Sequence, residues 1–183
     1  DARFWQHDGI DLIGIVRAAT ANFQKGAVRQ GGGTITQQLA RNTFALKART
    51  LDRKLLEAFL ARRIEQRYTK REIMECYLNR VYFGAGAYGI QRAAQIYFGK
   101  SAEALTLSES AVLVGLIRSP NRYSPIHNPK GAREQRDSVL ERMEFLGMIS
   151  PETTAAAKSE LVKITGQRFL PFGQGYVMDA IRR

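Results

Sequence analysis

The segment Arg53-Lys54-x-x-Glu57-x-x-x-Ala61-x-x-x-Glu65 puts Glu57, Ala61 and Glu65 on one helical face. Arg53 lies one turn before Glu57 and Lys54 three residues before it. A carboxylate beside two cations suits holding and orienting charge better than donating a proton. The small Ala61 between two acids is expected to leave room, as in a cleft. An ion-paired, solvated helix face is the plainer alternative. Further upstream, Gly31-Gly32-Gly33-Thr34-Ile35-Thr36-Gln37-Gln38-Leu39-Ala40-Arg41-Asn42 is a glycine-rich turn leading into a helix. Its unpaired N–H groups and positive dipole end make a natural anion site. Thr34, Gln38, Arg41 and Asn42 fall on one polar stripe, while Ile35 and Leu39 are expected to face the core. The lysine of a nucleotide-phosphate loop is missing.

Two further segments are weaker alone. Asp1-x-x-Phe4-x-x-His7-x-Gly9 combines an acid, an aromatic and a histidine, but a helix end packing Phe4 would read the same. From Tyr77 to Ile90, aromatics, Asn79 and several glycines suit sugar stacking and hydrogen bonding. They also suit a tight helical turn, and Tyr77 and Tyr82 are read first as core.

The elements that must position these groups are helices. All five prolines lie at position 120 or later, so the first two thirds can be helical with few breaks. Thr69-Lys70-Arg71-Glu72 and Thr106-Leu107-Ser108-Glu109 are capping boxes, and Ser150-Pro151 is a helix start. Residues 52–67 read as a helix with Leu56, Leu60 and Ile64 on one stripe. Glycines at 31–33 and 84–89 mark turns, and residues 23–33 are expected to be mobile without substrate. No strand-rich region or repeat is evident.

The bulk numbers narrow the classes. The chain has 183 residues, 44% apolar and 25% charged, as expected of one globular domain. A net charge of +11 attracts nucleic acid, anionic headgroups or phosphorylated substrates without choosing among them. Cys76 is the only cysteine and reads as a small buried hydrophobe, and two distant histidines make a structural zinc site a poor reading. No stretch reaches the roughly 18 apolar residues of a membrane span.

Taken together and in this order, the four segments resemble the family 51 peptidoglycan glycosyltransferases of class A penicillin-binding proteins and monofunctional transglycosylases. Ser110 to Pro125, Asn128-Pro129 and Arg133-x-x-Arg136 extend the resemblance to roughly residue 150. It implies a mainly α, lysozyme-like, two-lobed helical domain with a cleft. The implied activity is polymerisation of lipid II into β-1,4 glycan strands, with inversion and release of undecaprenyl pyrophosphate. Glu57 matches the family's second essential glutamate and is the catalytic candidate. Arg53 and Lys54 match basic residues near the donor diphosphate, and Thr34, Gln38 and Asn42 match positions that line the cleft. Arg41 stands where many members carry Lys, and Gly33 where Ser is common. Asp1, Phe4 and His7 match the first motif, and Asn79 and Tyr82 complete the expected substrate-binding set.

The general-base glutamate of that motif would directly precede Asp1. Residues 1–165 are expected to form the glycosyltransferase domain and 166–183 the start of a linker, with a C-terminal transpeptidase domain in the parent. An upstream membrane anchor, an extracytoplasmic location and contact with an anionic membrane surface are implied too. No metal site is expected; no cofactor is certain, and a divalent cation stays open. A lytic, lysozyme-like glycosidase would need an acid of raised pKa and no phosphate clamp, which the cations around Glu57 disfavour. A basic nucleic-acid-binding module would need a cationic stripe, whereas the charges here are mixed, so nucleic acid is not an expected partner.

Overall fold

The computed structural model describes residues 1–24, 31–44 and 50–165. The expected linker from residue 166 onward, and most of the expected mobile segment ahead of Gly31, lie outside the described residues. Eight α-helices account for most of the rest: α1 (Leu12–Gln24), α2 (Ile35–Thr43), α3 (Leu51–Glu65), α4 (Lys70–Arg80), α5 (Ile90–Phe98), α6 (Leu107–Leu116), α7 (Pro129–Phe145) and α8 (Pro151–Ser159). Short 3-10 turns cover Phe4–Gln6 and Ala102–Ala104. The described residues hold no strand, only a single antiparallel bridge between Tyr82 and Tyr88.

The helix starts follow their caps. Thr69 and Thr106 close capping boxes with Glu72 and Glu109, and Ser150 caps α8 ahead of Pro151. Thr34 and Gln37 close a third box on α2, which an S/T-x-x-E/Q search of the sequence also finds.

The chain forms two compact units divided between Val81 and Tyr82. In the first, α2 packs against both α3 and α4. In the second, α6 lies along α7, and α8 packs on both. Ala111, Leu140 and Ala157 form a core there, flanked by Leu107, Val139 and Ile149. The buried Arg136 holds the chain leaving α8, donating to the carbonyls of Lys158 (2.8 Å) and Glu160 (3.1 Å).

On α3 the buried residues are Glu57 and Ala61, while on the apolar stripe Leu56 is exposed and Leu60 and Ile64 are half-buried. Two expectations fail here. Cys76 is exposed rather than buried, because α4 turns Ile73 and Tyr77 inward and Cys76 off that face. Tyr77 is core as expected, but Tyr82 is half-buried and stacks on exposed Tyr88 with ring centroids 4.8 Å apart.

Candidate active site

Thr50 caps α3, its side chain accepting from Arg53 N, so the first turn of the helix carries Arg53 and Lys54 in a fixed register. One turn on, the Glu57 side chain is 0% exposed. Its Oε2 accepts from Lys54 Nζ at 2.8 Å. Its Oε1 lies 3.2 Å from Arg53 Nε, an ion pair without the alignment of a hydrogen bond. From α2, Arg41 Nη1 approaches Oε1 to 4.0 Å. Three cations therefore surround one carboxylate. Arg53 is mostly covered at 17% side-chain exposure, while Lys54 at 48% and Arg41 at 36% also face solvent. Burying a carboxylate is costly unless it is paired, and here the pairing overshoots. The cluster presents excess positive charge to anything that approaches Lys54 and Arg41. Beside it, the Tyr77 hydroxyl donates to Gln38 Oε1 at 3.2 Å, fixing the carboxamide. Burial pushes the Tyr77 phenol up, against the pull of Arg41.

The first motif is bound to the same helix. The Asp1 carboxylate accepts from the backbone N–H of Ile35 at 2.9 Å and from His7 Nε2 at 3.1 Å. Gly9 N–H donates to His7 Nδ1 at 3.2 Å, which leaves the ring proton on Nε2, facing Asp1. His7 is held below its ordinary pKa by burial and by Lys70, against the opposite pull of Asp11 and Glu65. Thr34 is buried; its hydroxyl donates to Gly9 O at 2.7 Å and accepts from Gln37 N. The anion expected at the glycine-rich helix start is thus supplied by the protein itself, as Asp1.

Gly9 comes close to the backbone of α3. Gly9 has φ +92°, and a Cβ there would lie 3.0 Å from the Ala61 carbonyl carbon and oxygen. Ala61 itself is fully buried.

The expected site residues therefore divide. Arg41, Arg53, Lys54 and Glu57 converge, with Gln38 beside them. Asp1, Phe4, His7 and Thr34 turn inward: Phe4 and Thr34 are almost fully buried, and the polar groups of Asp1, His7 and Thr34 bond to the protein. In this arrangement those four side chains pack and bond within the first unit. Asn42 and Asn79 are exposed, on α2 and α4, and Tyr82 belongs to the second unit.

Sequence reading passed over Thr36 and Lys70. Thr36 Oγ1 donates to Glu65 Oε1 at 2.6 Å, and Lys70 Nζ donates to the same oxygen at 2.7 Å. A signal existed: Lys70 is a cation in the first turn of α4, where the helix dipole opposes it. The apolar surface of the first unit was also missed. On α1, Gly14 and Ala18 face inward, while Leu12, Ile13, Ile15 and Val16 are exposed, as are Trp5, Leu51, Leu55 and Phe59. Among the described residues, no group of three or more His, Cys, Asp or Glu is arranged to hold a metal ion. No helix among them is long and apolar enough to cross a membrane.

The described site is a buried glutamate under a cationic cluster in a helical domain. Residues 1–144 match the transglycosylase family, and the chain belongs to that family. It is 44% identical over 182 residues to penicillin-binding protein 1A of Aquifex aeolicus, covering 100% of this chain and 25% of that protein. It is 43% identical over 184 residues to penicillin-binding protein 1A of Escherichia coli, covering 100% of this chain and 22% of that one. The crystal structure of penicillin-binding protein 1A from Haemophilus influenzae superposes with a TM-score of 0.52 at 40% identity, over 62% of this chain and 16% of that one. The chain thus spans about a quarter or less of the length of these relatives. The mainly α, lysozyme-like reading stands.

Proposed function

We propose that this domain polymerises lipid II into β-1,4 glycan strands. The observation that carries the reading is the fully buried Glu57 beneath Arg41, Arg53 and Lys54. In the reaction, the acceptor hydroxyl oxygen bonds to the donor's anomeric carbon with inversion. Its proton passes to a general base, and undecaprenyl pyrophosphate leaves with the electron pair of the broken bond. The charge that develops on the diphosphate needs fixed cations, and such donors act most strongly when held in place before the reaction. Lys54 and Arg41, with solvent-facing sides, are suited to meet it. Glu57 holds them and Arg53 in register. The resemblance puts the general base one residue ahead of Asp1 in the parent. The bonds from Asp1 to Ile35 N and His7 would then deliver that residue to the start of α2. A Cβ on Gly33 in that same turn would lie 3.5 Å from Lys54 Nζ, so base and cations would share one neighbourhood.

The parent is proposed to carry a C-terminal transpeptidase domain, since its relatives named penicillin-binding protein 1A are about four times longer or more. It is further proposed to work on the extracytoplasmic face of the inner membrane, held by an upstream anchor. The exposed apolar side chains of α1 and α3, on a chain of net charge +11, suit a surface lying against anionic lipid. The deciding experiment offers the full-length parent labelled lipid II and, separately, purified peptidoglycan. Growing glycan strands support the reading. Release of soluble fragments with no polymer would favour a lytic glycosidase instead.

A further inference from the structure

Four segments of the first unit, the stretch from Asp1 to His7 and helices α2, α3 and α4, are joined in a closed ring of polar contacts. Asp1 accepts from Ile35 N–H at 2.9 Å. The next residue, Thr36, donates to Glu65 on α3 at 2.6 Å. Glu65 Oε1 also accepts from Lys70 on α4 at 2.7 Å. Lys70 Nζ donates in turn to the backbone carbonyl of His7 and sits 4.5 Å from the centre of the Phe4 ring. The His7 ring returns to Asp1 at 3.1 Å. One ammonium thus holds both the aromatic and the histidine of the first motif, and it is the only member of the ring that bonds α3 to the segment Phe4–His7. Thr36 is fully buried, and the Glu65 side chain is 5% exposed. At Thr36 and Glu65, water therefore does not readily replace a lost partner.

Among the described residues, no hydrogen bond or ion pair joins Glu65 or Lys70 to Glu57 or its three cations. What they fix is the path of the chain from Asp1 to His7 across the start of α2. We infer that Lys70 is a positioning residue for glycan polymerisation, acting through the His7 carbonyl and Phe4 to hold the Asp1 segment against α2. The inference rests on the polymerase reading above. It assigns Lys70 a task that an ion pair stabilising a helix start would not have. Such a pair would affect folding alone. A positioning lysine alters turnover more than KM, since losing it displaces the Asp1 segment and leaves the Arg41–Lys54 cluster in place.

The test uses the full-length parent with three variants. Lys70→Met keeps the stem and removes the ammonium. The double variant Glu65→Gln with Lys70→Met also removes the carboxylate that the first change leaves unpaired. Thr36→Val removes one bond to that carboxylate without touching His7, and so serves as the control for weakened bonding within the ring. Melting temperature, kcat and KM are read on lipid II. We expect kcat to fall about 10²-fold in both Lys70 variants, the cost of a misplacement near 1 Å, with KM within about threefold of the parent. Thr36→Val should keep kcat within about threefold. Wild-type turnover in the folded double variant would overturn the inference, and so would equal losses of kcat in Thr36→Val and Lys70→Met. An unmutated parent that makes no polymer would instead defeat the polymerase reading.

Discussion

Replacing Glu57 with Gln tests the cationic cluster with almost no change of shape. Removing one partner of a fully buried ion pair typically costs about 3–5 kcal/mol. Here only Arg53 is held largely out of water, at 17% side-chain exposure. Lys54 at 48% and Arg41 at 36% are hydrated and screened, so their share must be discounted. The amide oxygen can still accept from Lys54. The expected destabilisation is therefore about 1–3 kcal/mol, the cost of one under-satisfied buried group. For a domain of this size that corresponds to a fall of about 2–12 °C in melting temperature. Turnover should suffer more. Without the carboxylate, three cations repel one another and lose their common register, and loss of one preorganised charge contact typically costs about 10²–10³-fold in kcat. The assay is polymerisation of labelled lipid II by the full-length parent, at a temperature where circular dichroism shows the variant folded. The loss should fall on kcat rather than on KM. Near-normal turnover in a folded variant would show that Glu57 only braces α3, and the argument from the cluster would collapse.

Gly9→Ala should destabilise the fold by about 1–3 kcal/mol, because alanine is strained at φ +92° and its Cβ would press on the Ala61 carbonyl. Denaturant melts check this, with Gly31→Ala, whose Cβ meets nothing within 4 Å, expected to change stability by less than about 0.5 kcal/mol. Gly33→Ser should be accepted, since its Cβ would sit in ordinary contact 3.5 Å from Lys54 Nζ, and fewer unfolded conformations should add up to about 1 kcal/mol of stability. A folding defect or lost turnover in that variant would mean that the glycine is required. His7 has a lowered folded-state pKa, so the unfolded chain takes up the proton first as acid is added. The stability this contributes is present above the ordinary value of 6.5 and is lost as pH falls through it toward the folded value. Melting temperatures from pH 8 to pH 5 should therefore drop more steeply for the wild type than for His7→Gln, and equal slopes would refute the neutral, Gly9-bonded imidazole.

Local rules made much of this protein legible from its residues. Capping boxes at Thr69 and Thr106 and the Ser150-Pro151 start set helix ends through bonds within four residues, which spacing alone reveals. The pairing of Arg53 and Lys54 with Glu57 lies within one helical turn and was readable in the same way. Spacing could not tell which helix face would be buried. On α3 the charged residue Glu57 went in and Leu55 and Phe59 stayed out, because the cations available to it came partly from another helix. Nor could spacing tell an anion site awaiting a ligand from one already filled. Asp1 lies 34 residues from the N–H that it caps, and only the packing of the first unit brings them together. The same holds for Lys70, which looks like a misplaced cation at the start of α4 until Glu65 and the His7 carbonyl close around it. Sequence determined the helices and the charges they carry. Tertiary structure decided which charges face inward and which meet solvent, since burial energy depends on partners that arrive from distant parts of the chain.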